Sequence, residues 1–341
     1  MVSKILLLGP SFFGYRDKIA QALIKEGNVV DCFVDRPSES IAFKSAGRVS
    51  YRLVEPLVTK HARDLETKLS VGEYDRLVYL SGMSFCFSRR QFSRIRSAAP
   101  RTKYVAGLWD ALGNCQRFGE CLDLFDEVYS FEPDDCDRFR LRLRPLFYLD
   151  DYARLPLVPE GGFTYDACFI GSVHQASKFE AICKICEELE AQELCVFKYF
   201  FIPSRSAELL RKMTYSAYRG ARLEHSPLSA EKVAEVYARS RAIIDSPQAG
   251  QRGLTIRTLE AVGARRKLIT TNPEVLQYDF SRYGDVAVWD RPGSITRDFF
   301  SKDYQELPPD VYKSYSITSF AATLLGEGPT YSGYKKGGVA S

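Results

Sequence analysis

The sequence predicts an α/β protein made of two doubly wound, Rossmann-like domains in series. Three observations carry that reading. Short apolar strands alternate with amphipathic helices over residues 4–148 and again over residues 167–325, the pattern of parallel sheets covered on both faces. Residues 150–163 (DDYARLPLVPEGGF), rich in proline and glycine, separate the two series and read as a linker. The length, 341 residues, suits two domains with a core each.

The first series begins with residues 4–8, a continuous apolar run of the kind found in a buried parallel strand. The turn GPSFFGY (residues 9–15) leads into a helix that ends before Gly27, and a strand at 29–34 closes a β-α-β unit. The turn has no Gly-Lys-Ser/Thr and no three spaced glycines, so it is neither a Walker loop nor a dinucleotide fingerprint. Gly9 and Gly14 there mark close backbone approach, to a ligand or to packing. Asp35, after the second strand, imitates a ribose-binding acid but lacks that fingerprint. Further strands are expected at 51–54, 76–80, 103–108, 127–131 and 145–148, with helices at 61–69, 89–97 and 133–139.

In the second series a strand at 167–170 ends in Gly171-Ser172, and a helix follows at 178–190. A strand at 196–202 and a helix from Ser204 come next, then a helix capped by Ser229 and a strand at 242–245. A helix near 273–277, a strand at 286–289 and helices to residue 325 complete the series. The boundaries are therefore 1–150 and 151–325. From residue 326 the composition (GEGPTYSGYKKGGVAS) is that of a disordered tail.

Composition narrows the class. Hydrophobic residues at 45% and charged residues at 26% describe an ordinary globular chain. A formal charge of +4 gives no argument for nucleic acid and is compatible with weak attraction to an anionic membrane surface. No apolar run reaches the ~18–20 residues that span a bilayer. The opening MVSKILLLGPSF has one lysine before the glycine and a short apolar run, unlike a signal peptide, so cytoplasmic residence is expected. Nine cysteines, an odd number mostly inside apolar segments, read as reduced buried thiols. Cys183 and Cys186 form a C-x-x-C inside a helical pattern with no second pair, and the three histidines are scattered, so no metal site is expected.

The most informative stretch is residues 245–271, DSPQAGQRGLTIRTLEAVGARRKLITT. An apolar strand ends at Asp245, a loop carries Gly250 and Gly253, a helix starts near Thr255, and another strand follows. Ile256, Leu259 and Val262 share the packing face of the helix, whereas Arg257 and Glu260 lie on the opposite one. A glycine loop feeding a helix N-terminus favours an anion. Arg257 adds a fork matched to phosphate, and Glu260 can accept from sugar hydroxyls. On spacing alone the pair reads as readily as an i,i+3 surface ion pair. Ligands of such sheets bind outside the carboxyl ends of the strands. If the two domains face each other, residues 9–15 and Asp110 meet residues 171–178 and 250–260 across a cleft.

The motifs KILLLGPSFFGY, LWDALG, DEVYSFEPDDC, LFYLDDY, FIGSVH and AGQRGLTIRTLEAVGARRKLITTN, in this order, give the chain a family resemblance. It resembles GT-B-fold glycosyltransferases, and more closely the bacterial CgeB-like group of lipopolysaccharide and capsule biosynthesis. The resemblance implies transfer of a sugar from a nucleotide-sugar co-substrate to a hydroxyl of a glycan or lipid-linked acceptor, with no metal and no other cofactor. It places the donor on the second domain, where Gln251, Gly253, Thr255 and Arg257 would meet the phosphates and Glu260 the ribose. Gly171 and Ser172 would approach the phosphates, with Lys178 or Arg205 as a further cation and His174 close by. Asp110 would be the general base on the acceptor side; its other reading is a strand-end cap.

Many retaining members carry E-x7-E, and here Arg252 stands in place of the first glutamate, so retention or inversion is not assigned. The basic run Arg89, Arg90, Arg94, Arg96, Arg101 and Lys103 reads as a solvated helix face or a peripheral contact with anionic lipid. An epimerase or hydrolase of the same architecture, or a catalytically silent binding module, stays open as an alternative.

Overall fold

The computed structural model describes residues 2–10, 14–80, 82–327 and 330–336. They form two compact α/β units, the first reaching Pro145 and including Ile317–Thr330, the second spanning Leu146–Ser316 with the described residues from Tyr331.

The first unit is built on six parallel strands: β1 (Lys4–Gly9), β2 (Val29–Val34), β3 (Arg76–Leu80), β4 (Lys103–Leu108), β5 (Glu127–Ser130) and β6 (Arg142–Leu143). Their order is β2-β1-β3-β4-β5-β6. The central position of β1, β3 and β4 follows from their sequences, since Ile5–Leu8 and Leu77–Leu80 are apolar throughout and buried on both faces. One face packs on the helices Glu55–Gly72 and Arg89–Ala98 through a cluster of aromatic rings, among them Tyr79, Phe85, Phe92, Phe118 and Phe125. The helices Tyr15–Lys25 and Ile317–Leu324 pack together, and the second lies over β4 where Gly107 leaves room for Leu324 and Phe320.

The second unit has five parallel strands: β7 (Tyr165–Ser172), β8 (Val196–Phe201), β9 (Ser240–Asp245), β10 (Lys267–Thr270) and β11 (Val286–Val288). The order is β11-β10-β9-β7-β8. Strand order reverses between β1 and β3 in the first sheet and between β7 and β9 in the second. Those two reversals are the crevices where doubly wound sheets take ligands.

Five expectations are corrected. Residues 51–54 are not a strand: Tyr51–Leu53 is a 3-10 turn leading into the Glu55–Gly72 helix. Pro56 at that helix's first turn favours this route over a ladder. The last strand of the first sheet is Arg142–Leu143 rather than 145–148, because Pro145 has no N–H to continue it, and Tyr148 makes only an isolated bridge to Ser316. Helix Ile317–Leu324 belongs to the first unit, not the second. The linker reading of 150–163 also needs revision, since the second unit holds that stretch firmly. The buried Arg266 guanidinium donates to the carbonyls of Pro156, Leu157, Tyr237 and Ala238 at 2.7–3.1 Å.

The expected disordered tail is held too, over residues 330–336. Asp279 N–H donates to the Gly333 carbonyl at 2.7 Å, Lys335 N–H to the Gln277 carbonyl at 2.9 Å, and the Tyr331 and Tyr315 hydroxyls pair at 2.6 Å. Two tyrosines among glycines, serines and lysines were enough to anchor it. Residues 11–13 of the first turn and 328–329 and 337–341 of the tail lie outside the described residues.

Candidate functional site

The switch point of the second sheet is spanned by one arginine. Asp245 ends β9 fully buried, and a buried carboxylate must be paired. It accepts from Arg257 Nη1 at 2.9 Å, from Thr255 Oγ1 at 2.8 Å and from Thr258 Oγ1 at 3.1 Å. Thr255 also caps the helix Ile256–Ala264, accepting from Thr258 N–H at 3.1 Å. Arg257 Nε donates to the Ile170 carbonyl in β7 at 3.1 Å, and the guanidinium lies 5.0 Å from the Phe169 ring centre. The fork therefore ties β9 to β7 at the reversal. Gly171 makes this possible: a Cβ there would sit 2.3 Å from Arg257 Nη2.

Lys178, on the helix Ala176–Ala191, is electrostatically coupled to this pair. Burial pushes its pKa down to about 8, Arg257 adds to the effect, and Asp245 opposes it. Lys178 lines a cavity of about 550 Å³, together with Ser177, Ser246, Gln251, Arg252 and Asn272. Arg252 holds Glu274 through Nη2 at 2.8 and 2.9 Å and Nε at 3.1 Å, and the Asn272 amide donates to the Arg252 carbonyl at 2.9 Å. The Gln251 amide donates to the Gly253 carbonyl at 2.9 Å, which shapes the loop into the helix. The cavity so offers a cation, a glycine-bearing loop and hydroxyls at the carboxyl ends of the strands.

The structure brings some of the predicted residues together and separates others. Lys178 and Gln251 stand on the cavity wall; Gly171, Gly253, Thr255 and Arg257 form the framework beside it. Ser172 bonds His174 Nδ1 through its hydroxyl at 2.9 Å. Burial, then Lys178 and Arg211, lower the His174 pKa. Glu260 is not on the wall: it accepts from the Tyr237 hydroxyl at 3.0 Å and the Tyr152 hydroxyl at 3.2 Å. Neither Arg257 nor Glu260 belongs to a solvated helix face or to a simple pair with the other. Arg205 is exposed at the start of its helix and is absent from the wall, so Lys178 is the cation that fits the second position.

Asp110 lies in the first unit, just beyond β4, in a cavity of about 590 Å³ that also has Gly82, Met83, Tyr51, Arg36 and Arg117 on its walls. Its Oδ2 accepts from Met83 N–H at 3.1 Å. Gly82 permits that approach, for a Cβ there would come within 2.8 Å of Asp110 Cβ. Burial raises the Asp110 pKa, and the Met83 bond opposes the rise. Asp35 is wholly buried nearby, its pKa pushed up to about 6 by burial against the opposing Ser84 hydroxyl. Arg36 and Lys44 both face Glu39, at 3.2 and 2.8 Å.

Sequence reasoning missed Asp245, Arg252–Glu274, Asn272 and Gly82 as site-shaping residues. Only Asp245 carried a signal, as a carboxylate ending a buried strand twelve positions before an arginine. The basic run is also less bare than expected: Arg89, Arg94, Arg96 and Lys103 are paired with Asp123, Glu66, Asp126 and Glu127. Among the described residues no group of three His, Cys, Asp or Glu side chains is gathered to hold a metal ion, and no helix is long and apolar enough to cross a membrane.

No protein-family model and no curated protein sequence matches the chain. Solved structures do. An α-glucosyltransferase in complex with UDP and a 13-mer DNA is similar with a TM-score of 0.58 at 11% identity, over 95% of this chain and 99% of that one. The lipopolysaccharide outer core galactosyltransferase WaaB gives 0.57 at 11% identity, over 95% and 99%. A UDP-N-acetylglucosamine 2-epimerase homologue from Listeria monocytogenes gives 0.54 at 9% identity, over 95% of each chain. With two parallel sheets of six and five strands spanning nearly the length of these proteins, the chain has the two-domain GT-B fold.

Proposed function

We propose that the protein is a glycosyltransferase that moves a sugar from a nucleotide-sugar donor to a hydroxyl of a glycan or lipid-linked acceptor in bacterial surface-polysaccharide synthesis. It works in the cytoplasm or at the inner face of the membrane. The observation that carries this reading is the Arg257 fork fixed across the β7/β9 reversal, with Lys178 beside it on a cavity of nucleotide-sugar size. Lys178 and Arg257 stabilise the diphosphate as its bond to the anomeric carbon breaks, without recourse to a metal ion. Glu260, held by the Tyr152 and Tyr237 hydroxyls off the cavity wall, braces the Ile256–Ala264 helix that carries Arg257. Asp110, in the first unit, is the general base that takes the proton of the acceptor hydroxyl.

Labelled nucleotide sugars offered with a glycan extract test this. Wild-type protein is expected to consume one of them, and Lys178→Ala and Arg257→Ala to lose turnover. Wild-type rates in both variants would remove this site from the reaction. The epimerase-like neighbour supports a second reading, in which the donor is converted without an acceptor. Product analysis with the acceptor omitted separates the two.

A further inference from the structure

The helix Arg205–Thr214 is turned inside out. At about 100° per residue, Leu209, Met213 and Leu210 fall within one arc of about 100°. Those three side chains are 62%, 70% and 64% exposed, and no residue of the helix is buried. The less exposed side instead carries Ala207, Glu208, Arg211 and Lys212, with Glu208 bound to His225 at 2.9 Å and to Lys212. A surface helix ordinarily does the reverse, with its apolar stripe inward and its charges in water. Three large apolar side chains within five positions therefore form an unpartnered face.

The setting of this face is cationic. Arg205 is exposed at the N-terminal end, and exposed Arg219 donates to the Lys212 carbonyl at 3.1 Å. Among the described residues neither of these two arginines has a carboxylate at ion-pair distance. The basic run at 89–103, by contrast, has most of its charge answered by acids of its own unit.

We propose that this helix docks on an anionic lipid bilayer. Leu209, Leu210 and Met213 enter the boundary between headgroups and acyl chains, and Arg205 and Arg219 meet lipid phosphates. Charge complementarity and area both favour a lipid surface over a second copy. A helix of ten residues is about 15 Å long and presents on the order of 150 Å² on one face, far below the ~800 Å² per partner of a stable protein interface. The inference stands apart from sugar transfer and is tested without a donor.

The whole chain is sedimented with vesicles of phosphatidylcholine alone, or with about 30% phosphatidylglycerol, at low and high salt. Wild-type protein is expected to bind the anionic vesicles only, and less well in high salt. Leu209→Ser/Leu210→Ser/Met213→Ser and Arg205→Glu/Arg219→Glu should each weaken binding at least tenfold while keeping the wild-type melting temperature. No binding by the wild type, or undiminished binding by the variants, overturns the proposal. So does a wild-type dimer in light scattering that the apolar variant converts to a monomer. Should the apolar variant fail to fold, the arginine pair decides.

Discussion

Asp245 and Arg257 carry the second unit's site as a pair, and each is costly without the other. A fully buried carboxylate with three donors is stable; the same carboxylate facing an alanine is not. Gly171→Ala is therefore the gentler probe. Its methyl group would displace the Arg257 fork without removing a charge, so nucleotide-sugar affinity should fall by about tenfold or more and the melting temperature should fall less than in Arg257→Ala, as titration calorimetry and thermal melts would register. On the acceptor side, Asp110→Asn is expected to lower kcat by about 10²–10⁴ with little change in donor affinity. A base must be ionised, and burial holds the Asp110 pKa above its ordinary value. The acid limb of kcat/KM should thus lie above the ~3.9 of a free aspartate, with activity lost as pH falls through it.

At the scale of elements, the buried guanidinium of Arg266 matters most to stability. It closes the 156–157 segment and the end of the Ala230–Ala238 helix onto the second sheet. Arg266→Met leaves those buried carbonyls without their donor and should cost about 2–4 kcal/mol, a fall of about 5–10 °C in the melting temperature of the second unit.

Most elements here were legible in the sequence. The β1, β3, β4, β7 and β9 segments each hold an uninterrupted apolar run (5–8, 77–80, 104–108, 167–170 and 242–244), and caps such as Ser88, Ser204, Ser229 and Thr255 mark helices. What was hidden depends on partners distant in sequence. Tyr51 is fixed by Gln91 and Arg117, and Tyr331 by Tyr315. Of the candidate site, the loop and the helix starting at Thr255 were legible, whereas Asp245 acting on both Arg257 and Lys178 depends on the fold. The roles of Asp245 and Gly82 come only from what the fold sets against them.

Over the whole molecule, the chain makes the first sheet, then the second, and then returns to the first unit with Ile317–Leu324 before ending on the second. The two units share the covalent chain three times. Deleting residues 331–341 should lower the melting temperature by several degrees through loss of the Tyr331 and Tyr334 contacts, while leaving the first unit folded by circular dichroism.

The central claim is that the cavity beside Lys178 holds a nucleotide diphosphate. Calorimetric titration of wild-type protein and Lys178→Ala with UDP-, GDP-, CMP- and dTDP-sugars, at pH 7 and pH 9, tests it most directly. Lys178 is charged below about 8 and neutral above it. Wild-type affinity for one donor should therefore fall by up to about tenfold from pH 7 to 9, and the variant should bind weakly and alike at both values. Tight binding by Lys178→Ala with an unchanged pH dependence, or no binding of any donor by the wild type, would contradict the account.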